Sequence, residues 1–202
     1  MKLLLTAFDP FGGESVNPAE DAVKLIPDDL YGLDIVKVIV PTVFGAAIDT
    51  VCAAIEREKP DVVFCIGQAG GREKITPERV AINVNDARIP DNAGNAPVDT
   101  PVFPDGPAAY FSTLPIKAMV EKMSSAGIPA AVSNTAGTFV CNHLMYGVLY
   151  TLDKRFPGVK GGFMHVPFET AQVAGKPGVP SMTLETIVRG IELSIGAIAE
   201  NV

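Results

Sequence analysis

The chain has no tryptophan, two histidines and three cysteines in 202 residues. Three widely spaced cysteines match neither a disulfide framework nor a zinc pattern, so free thiols in a reducing compartment are expected. Basic residues are also few: 16 Lys and Arg against 23 Asp and Glu give a net charge of −7. No basic stripe is present, which sets nucleic-acid binding aside. No apolar run approaches the roughly 20 residues of a membrane span. The opening "MKLLLTAFDP" carries one lysine and a short apolar run cut off by Asp9 and Pro10. It is too short for a secretory signal and reads as a buried strand, so a cytoplasmic protein is expected.

What the chain does have is apolar mass: 48% of it is hydrophobic and only 19% charged. That composition suits one domain, residues 1–202, with a substantial core. Short Val-, Ile- and Phe-rich runs read as strands: "KLLLTAF", "LDIVKVIV", "DVVFCIG", "PAAVSNT" from Pro129 and "GGFMHVPF" from Gly161. Helix-like stretches lie among them: "GAAIDTVCAAIEREKP", "AAYFSTLPIKAMVEKMSSAG" and "CNHLMYGVLYTLDKRFPG". From Thr183 onward, Leu184, Ile187, Val188, Ile191, Ile195 and Ile198 form one helical face. This alternation predicts a three-layer α/β/α sandwich with a mainly parallel, mixed sheet, of the phosphorylase/hydrolase-like kind. Two stretches rich in Pro, Gly, Asn and Asp, from Asn85 and from Thr170, read as long loops that serve a site or an interface.

Cys52 falls in an Ala-rich helical run and Cys65 in an apolar strand; each reads as a small buried hydrophobe. Cys141 falls where a loop becomes a helix. Unpaired N–H groups and the positive end of the helix dipole favour an anion there, which predicts a lowered thiol pKa and a nucleophile. His143 lies two residues on, and i and i+2 diverge on a helix. His165 closes the strand that follows that helix. In a parallel strand–helix–strand unit, both would arrive at the carboxyl edge of the sheet, where α/β proteins hold ligands. His165 is therefore the expected base. A Cys–His pair needs a third group to orient the imidazole. Spacing alone leaves Glu73, Glu78, Asp86, Asp91 and Glu169 open.

Seven segments in order carry a resemblance: "FDPFGGESVNP", "VPTVF", "GQAGGREKITPERVAINVNDARIPDN", "GPAAY", "LPIK", "GIPAAVSNTAGTFVCNHLMYG" and "GGFMHVPF". Together they resemble the pyroglutamyl peptidase I family, from the first strand to about Phe168. The resemblance implies a cysteine omega-peptidase that removes N-terminal pyroglutamyl residues from peptides through a thioester. It implies Cys141 as nucleophile, His165 as general base and Glu78 as the orienting carboxylate, with Arg88 at the oxyanion site. It also implies Phe8, Phe11, Thr42, Ile89, Phe139 and Val140 around the pyroglutamyl ring, and Gln68 at the lactam's polar edge. The implied chemistry uses no metal and no organic cofactor, and the family tends toward homo-oligomers, dimeric or tetrameric. The tail beyond Phe168 matches least well.

Other readings compete. "GQAGGR" after a strand suggests a phosphate cradle, as in a nucleoside phosphorylase or a nucleotide-binding α/β protein, although its spacing fits neither G-x-G-x-x-G nor the P-loop. An amidotransferase-like cysteine hydrolase would carry its nucleophile on a glycine-flanked elbow, which "TFVCNH" lacks. A non-enzymatic binding module would make Cys141 dispensable.

Overall fold

Strand β1 (Lys2–Phe8) sends alternate side chains to opposite sides: Leu3, Leu5 and Ala7 enter one apolar core, Leu4 and Phe8 another. A strand buried on both faces requires that two-residue period. The computed structural model covers residues 1–202. Along the chain β1 is followed by helix α1 (Pro18–Leu25), β2 (Asp29–Leu30), β3 (Leu33–Val40), α2 (Ala46–Glu58) and β4 (Val62–Gln68). Next come β5 (Thr76–Pro77), β6 (Val80–Ile82), β7 (Ala109–Phe111), α3 (Ile116–Ser125) and α4 (Val140–Arg155). The chain ends with β8 (Lys160–Val166), β9 (Phe168–Glu169), a 3-10 turn at Thr170–Val173, β10 (Ser181–Met182) and α5 (Leu184–Asn201).

The main sheet runs β2-β3-β1-β4-β8-β5. β3, β1, β4 and β8 are parallel, while the two edge strands are antiparallel to their neighbours. Helices α1, α3 and α5 bury their apolar faces with Leu3, Phe64 and Met164 on one side of the sheet. Helices α2 and α4 cover the other side with Leu4, Cys65 and Phe163. The expected three-layer sandwich with a mainly parallel, mixed sheet is therefore the architecture found.

Three local readings need correction. "PAAVSNT" forms no strand but two isolated bridges, Ala130 with Ile75 and Ser133 with Glu78. Bonds do run along it: Ile75 N–H to the Pro129 carbonyl, Ala131 N–H to Ile75, Ser133 N–H to Pro77 and Arg79 N–H to Ser133. The missing rung is the one Pro77 would have to donate, and proline has no N–H. "AAYFSTLPIK" does not belong to a helix throughout: Ala109–Phe111 pairs with β6, and the helix starts only after Leu114 and Pro115. Helix α1 was not expected, although "NPAED" carries its start signal. The Asn17 side chain accepts the Ala19 N–H at 3.0 Å, Pro18 opens the helix, and Glu20 and Asp21 sit in its first turn.

The long segment from Asn85 to Pro107 holds itself together through side chains. Asp91 accepts the Phe44, Ala93 and Asn95 N–H groups and the Asn95 amide at 2.8–2.9 Å. Asn83 accepts from Val102 and Phe103. These bonds draw the loop over the start of α2, beside the carboxyl edge of the sheet.

Candidate active site

Parity along β8 decides which side of the sheet His165 serves. Met164 and Val166 enter the core of α1, α3 and α5, so Phe163 and His165 face α2 and α4. Helix α4 begins at Val140 on that same side, and β8 ends at Val166. Cys141 and His165 line one cavity of about 710 Å³ with Phe11, Gln68, Thr138 and Phe139. The sulfur lies over Gly67, where an ideal Cβ would stand 3.1 Å from Sγ. Gly67 is the register partner of His165 across β4 and β8.

His165 Nδ1 lies 2.7 Å from Glu78 Oε1, and both side chains are buried. An ionised carboxylate only accepts, so Nδ1 carries the proton and donates it to this bond. Nε2 is then the free lone pair. Burial pushes the His165 pKa down from the usual histidine value, against the pull of Glu78, and the Arg72 charge pushes it the same way as burial. Burial alone would push the Glu78 carboxyl up, but His165, Ser133 and Arg72 together hold it below its usual range. The arrangement is a neutral imidazole on a charged carboxylate.

The thiol departs from expectation. Burial, and next the Glu78 charge, push the Cys141 pKa up to about 12. The Arg72 charge and the Cys141 N–H act in the opposite direction and are outweighed, even with the thiol at the start of α4. A helix end supplies roughly half a charge, which does not offset burial of a whole one. Thiol and imidazole therefore line the cavity as neutral groups, and the thiol needs a base to become reactive. No side chain caps α4, so its first N–H groups have no side-chain acceptor.

The two residues after Cys141 fix its surroundings. Asn142, fully buried, accepts the Ile82 N–H and donates to the Ile82 and Val84 carbonyls, each at 2.9 Å. His143 accepts the Gly45 N–H at Nε2 and so donates Nδ1–H to Asn85 Oδ1, both at 2.9 Å. Burial pushes it down to about 4. It binds the start of α2 to the long loop and faces away from Cys141, as the i to i+2 argument required.

Of the remaining expected site residues, Phe11, Gln68, Arg88, Ile89 and Phe139 line the cavity. Phe8 and Val140 sit in the core of α2 and α4, and Thr42 donates its hydroxyl to Asp9 at 2.7 Å; none of these three is part of the lining. Among the carboxylates left open, Asp91 anchors the loop, Glu169 caps the 3-10 turn and Glu73 is exposed beside Lys74. Asp86 lines the cavity, and only Glu78 meets His165. Arg72 was not foreseen, and its Nη1 lies 2.6 Å from Glu78 Oε1. That contact employs the one cation of "GQAGGR", the loop read as a phosphate cradle. Gly70 there has a packing reason, since a Cβ would come within 2.3 Å of the Phe168 ring.

A thiol beside an imidazole–carboxylate pair can carry acyl transfer through sulfur, the chemistry of cysteine peptidases. Comparison of the whole chain fixes the family. The pyroglutamyl peptidase family model matches residues 1–201, and the chain belongs to that family. It is 58% identical over 201 residues to a pyrrolidone-carboxylate peptidase of Clostridium botulinum, covering 100% of this chain and 94% of that protein. It is 60% identical over 200 residues to one of Streptococcus pyogenes, covering 99% and 93%. Among solved structures, the pyroglutamyl peptidase I of Bacillus amyloliquefaciens superposes with a TM-score of 0.95 at 48% identity, covering 99% of this chain and 97% of the other. A Pyrococcus furiosus pyrrolidone carboxyl peptidase variant (A199P) gives 0.96 at 39% identity over 100% of both chains. The chain is a cysteine peptidase of this family, and the phosphorylase-like reading finds no support.

Proposed function

We propose that this chain removes N-terminal pyroglutamyl residues from peptides with Cys141 as nucleophile, His165 as base and Glu78 as orienter. The observation that carries the assignment is the buried 2.7 Å contact between His165 Nδ1 and Glu78 Oε1 behind a cavity that Cys141 lines. Nε2 takes the thiol proton as sulfur attacks the carbonyl carbon attached to the pyroglutamyl ring. The C–N bond of the tetrahedral intermediate breaks, and Nε2 returns the proton to the leaving amine. Water then attacks the thioester, giving its proton to Nε2, and sulfur leaves and is reprotonated. The N–H of Cys141 and the Arg88 side chain stabilise the oxyanion. Loss of one such donor costs about 100- to 1000-fold in rate.

Pyroglutamate is a lactam with no free amine and no carboxylate, so an apolar pocket with a few polar groups suits it. Phe11, Ile89 and Phe139 supply the apolar walls, with Phe11 and Phe139 ring centroids 6.3 Å apart. Gln68 Oε1 accepts from Gln172 Nε2 at 3.2 Å, which leaves the Gln68 NH₂ for the lactam oxygen. Proline lacks that oxygen and would leave the amide unpaired.

The three free thiols suit a reducing cytoplasm. Val98, 67% exposed, and Ile89, 46% exposed, give the long loop apolar surface for contacts in a homo-oligomer, dimeric or tetrameric. The reading is tested with a chromogenic pyroglutamyl amide. Wild type should release the leaving amine and Cys141→Ser should not; equal turnover by both would refute it.

A further inference from the structure

We infer that Arg72 is a positioning residue for this reaction, clamping the Glu78 carboxylate and the chain that leads to Cys141 into one unit. The inference rests on the proposed triad.

Arg72 Nη1 donates to Glu78 Oε1 at 2.6 Å and to Thr76 Oγ1 at 2.5 Å, while Nη2 donates to the Thr135 carbonyl at 3.1 Å. Oε1 is the same oxygen that accepts from His165. Glu78 is fully buried, and its Oε2 has no partner. A neutral imidazole alone would leave a buried negative charge uncompensated. The guanidinium supplies that compensation, and its second nitrogen carries the effect to Thr135. Ala136, Gly137, Thr138 and Phe139, which follow Thr135, form the cavity wall up to Cys141. The two halves of the site, Glu78 with His165 and the wall before Cys141, come from distant parts of the chain. Arg72 bridges them.

The local fold aims Arg72 at this task. The Ala69 N–H donates to the Val166 carbonyl at 2.9 Å, extending β4 alongside β8. Gly71 takes a positive φ of 88°, and the Arg72 N–H returns to the Ala69 carbonyl at 3.3 Å. This turn sends the side chain back across the sheet edge. Two nitrogens in a fixed plane reach three acceptors at once, which a lysine ammonium on a flexible stem does not reproduce.

The charge also matters. The charged groups around His165 are Glu78 and Arg72, and the Cys141 thiol, Asp86 and Arg88 line the same cavity. Of the two that act on its proton, Glu78 favours the imidazolium and Arg72 opposes it. Removing the cation makes His165 easier to protonate, so the acid limb of kcat/KM moves to higher pH.

The experiment compares Arg72→Met and Arg72→Lys with wild type for kcat, KM, the pH profile and Tm, with Glu78→Gln and Cys141→Ser in parallel. Displacement of reacting groups by about 1 Å costs on the order of 100-fold, which sets the expected loss of kcat in R72M, with KM little changed. Its acid limb should move to higher pH. R72K should keep the wild-type limb and regain only part of kcat, and it carries the test alone if R72M does not fold. Wild-type kcat in these variants, or a lower Tm with an unmoved limb and unchanged kcat, overturns the inference. If E78Q or C141S turns over like wild type, the triad itself is wrong. If they are dead and the Arg72 variants are not, only the clamp is wrong.

Discussion

Gly67 and Cys141 share a space that only the absence of a side chain leaves open. A Cβ at residue 67 would stand 2.7 Å from Phe163 Cζ and 3.1 Å from the Cys141 sulfur. One strand thus brings the imidazole to the cavity, and its neighbour makes room for the thiol. Gly67→Ala should unseat the sulfur and strain the core under it. Overpacking of this kind typically costs about 1–3 kcal/mol. The expected outcome is a lower Tm and a kcat loss larger than the loss of folded protein explains. Wild-type kcat in a folded G67A protein would show that the close approach has no catalytic meaning.

The two histidines should separate cleanly. His165→Ala removes the base and should abolish turnover while the protein stays folded. His143→Ala removes the acceptor of the exposed Gly45 N–H and orphans the buried Asn85 Oδ1, and leaving such a buried group unpaired costs about 1–3 kcal/mol. It should lower Tm and raise KM by loosening the long loop, with kcat largely kept. Steady-state kinetics and thermal melts on both variants decide the matter. Equal kcat losses would contradict the roles assigned.

Two pH dependences follow from burial. For activity, His165 is pushed below the usual histidine value of about 6.5, so the acid limb of kcat/KM should lie below that pH. For stability, His143 binds a proton in the unfolded chain below about 6.5 but in the folded protein only near 4. Its contribution is complete above about 6.5 and falls away as pH drops toward 4. The gap corresponds to about 3 kcal/mol. Glu78 and Asp91, both held below their usual range, add to the loss at lower pH. Urea unfolding at pH 7 and pH 4.5 should show the drop, with a shallower slope in His143→Gln. A flat wild-type curve over that window would rule it out.

Gln172 turns the Gln68 amide. It sits in the 3-10 turn after β9, accepts the Glu169 N–H at 2.9 Å, and donates to Gln68 Oε1 and to the Val16 carbonyl. Gln172→Ala frees Gln68 to present either end to the lactam. KM for a pyroglutamyl amide should rise several-fold, about 1 kcal/mol of orientation, with little change in kcat. An unchanged KM would remove Gln172 from substrate recognition.

The sequence carried the sheet well because β1, β3, β4 and β8 are apolar runs with sharp polar or glycine boundaries. It also carried Cys141 and His165 to one cavity, since chain order through one helix and one strand determines which edge both reach. Failures came where the deciding group lies far along the chain. Glu78 is 87 residues from His165, so no local pattern selects it over Asp91 or Glu169. Arg72 read as part of a glycine loop because its partner, Glu78, acquires meaning only when folded. The Cys141 pKa was expected low from its helix position, yet burial, a tertiary property, outweighs that. Pro77 broke a ladder whose other bonds all form, and a strand pattern at Pro129–Thr135 could not reveal its partner's missing N–H.

The proposed chemistry requires the substrate's acyl group to pass through the Cys141 sulfur. Enzyme quenched in acid during turnover of a pyroglutamyl amide, digested and analysed by mass spectrometry, tests it directly. A pyroglutamyl adduct on the peptide that contains Cys141, absent from the Cys52 and Cys65 peptides and lost in Cys141→Ala, is the predicted result. Full turnover by Cys141→Ala, or an adduct mapped to any other residue, would contradict it.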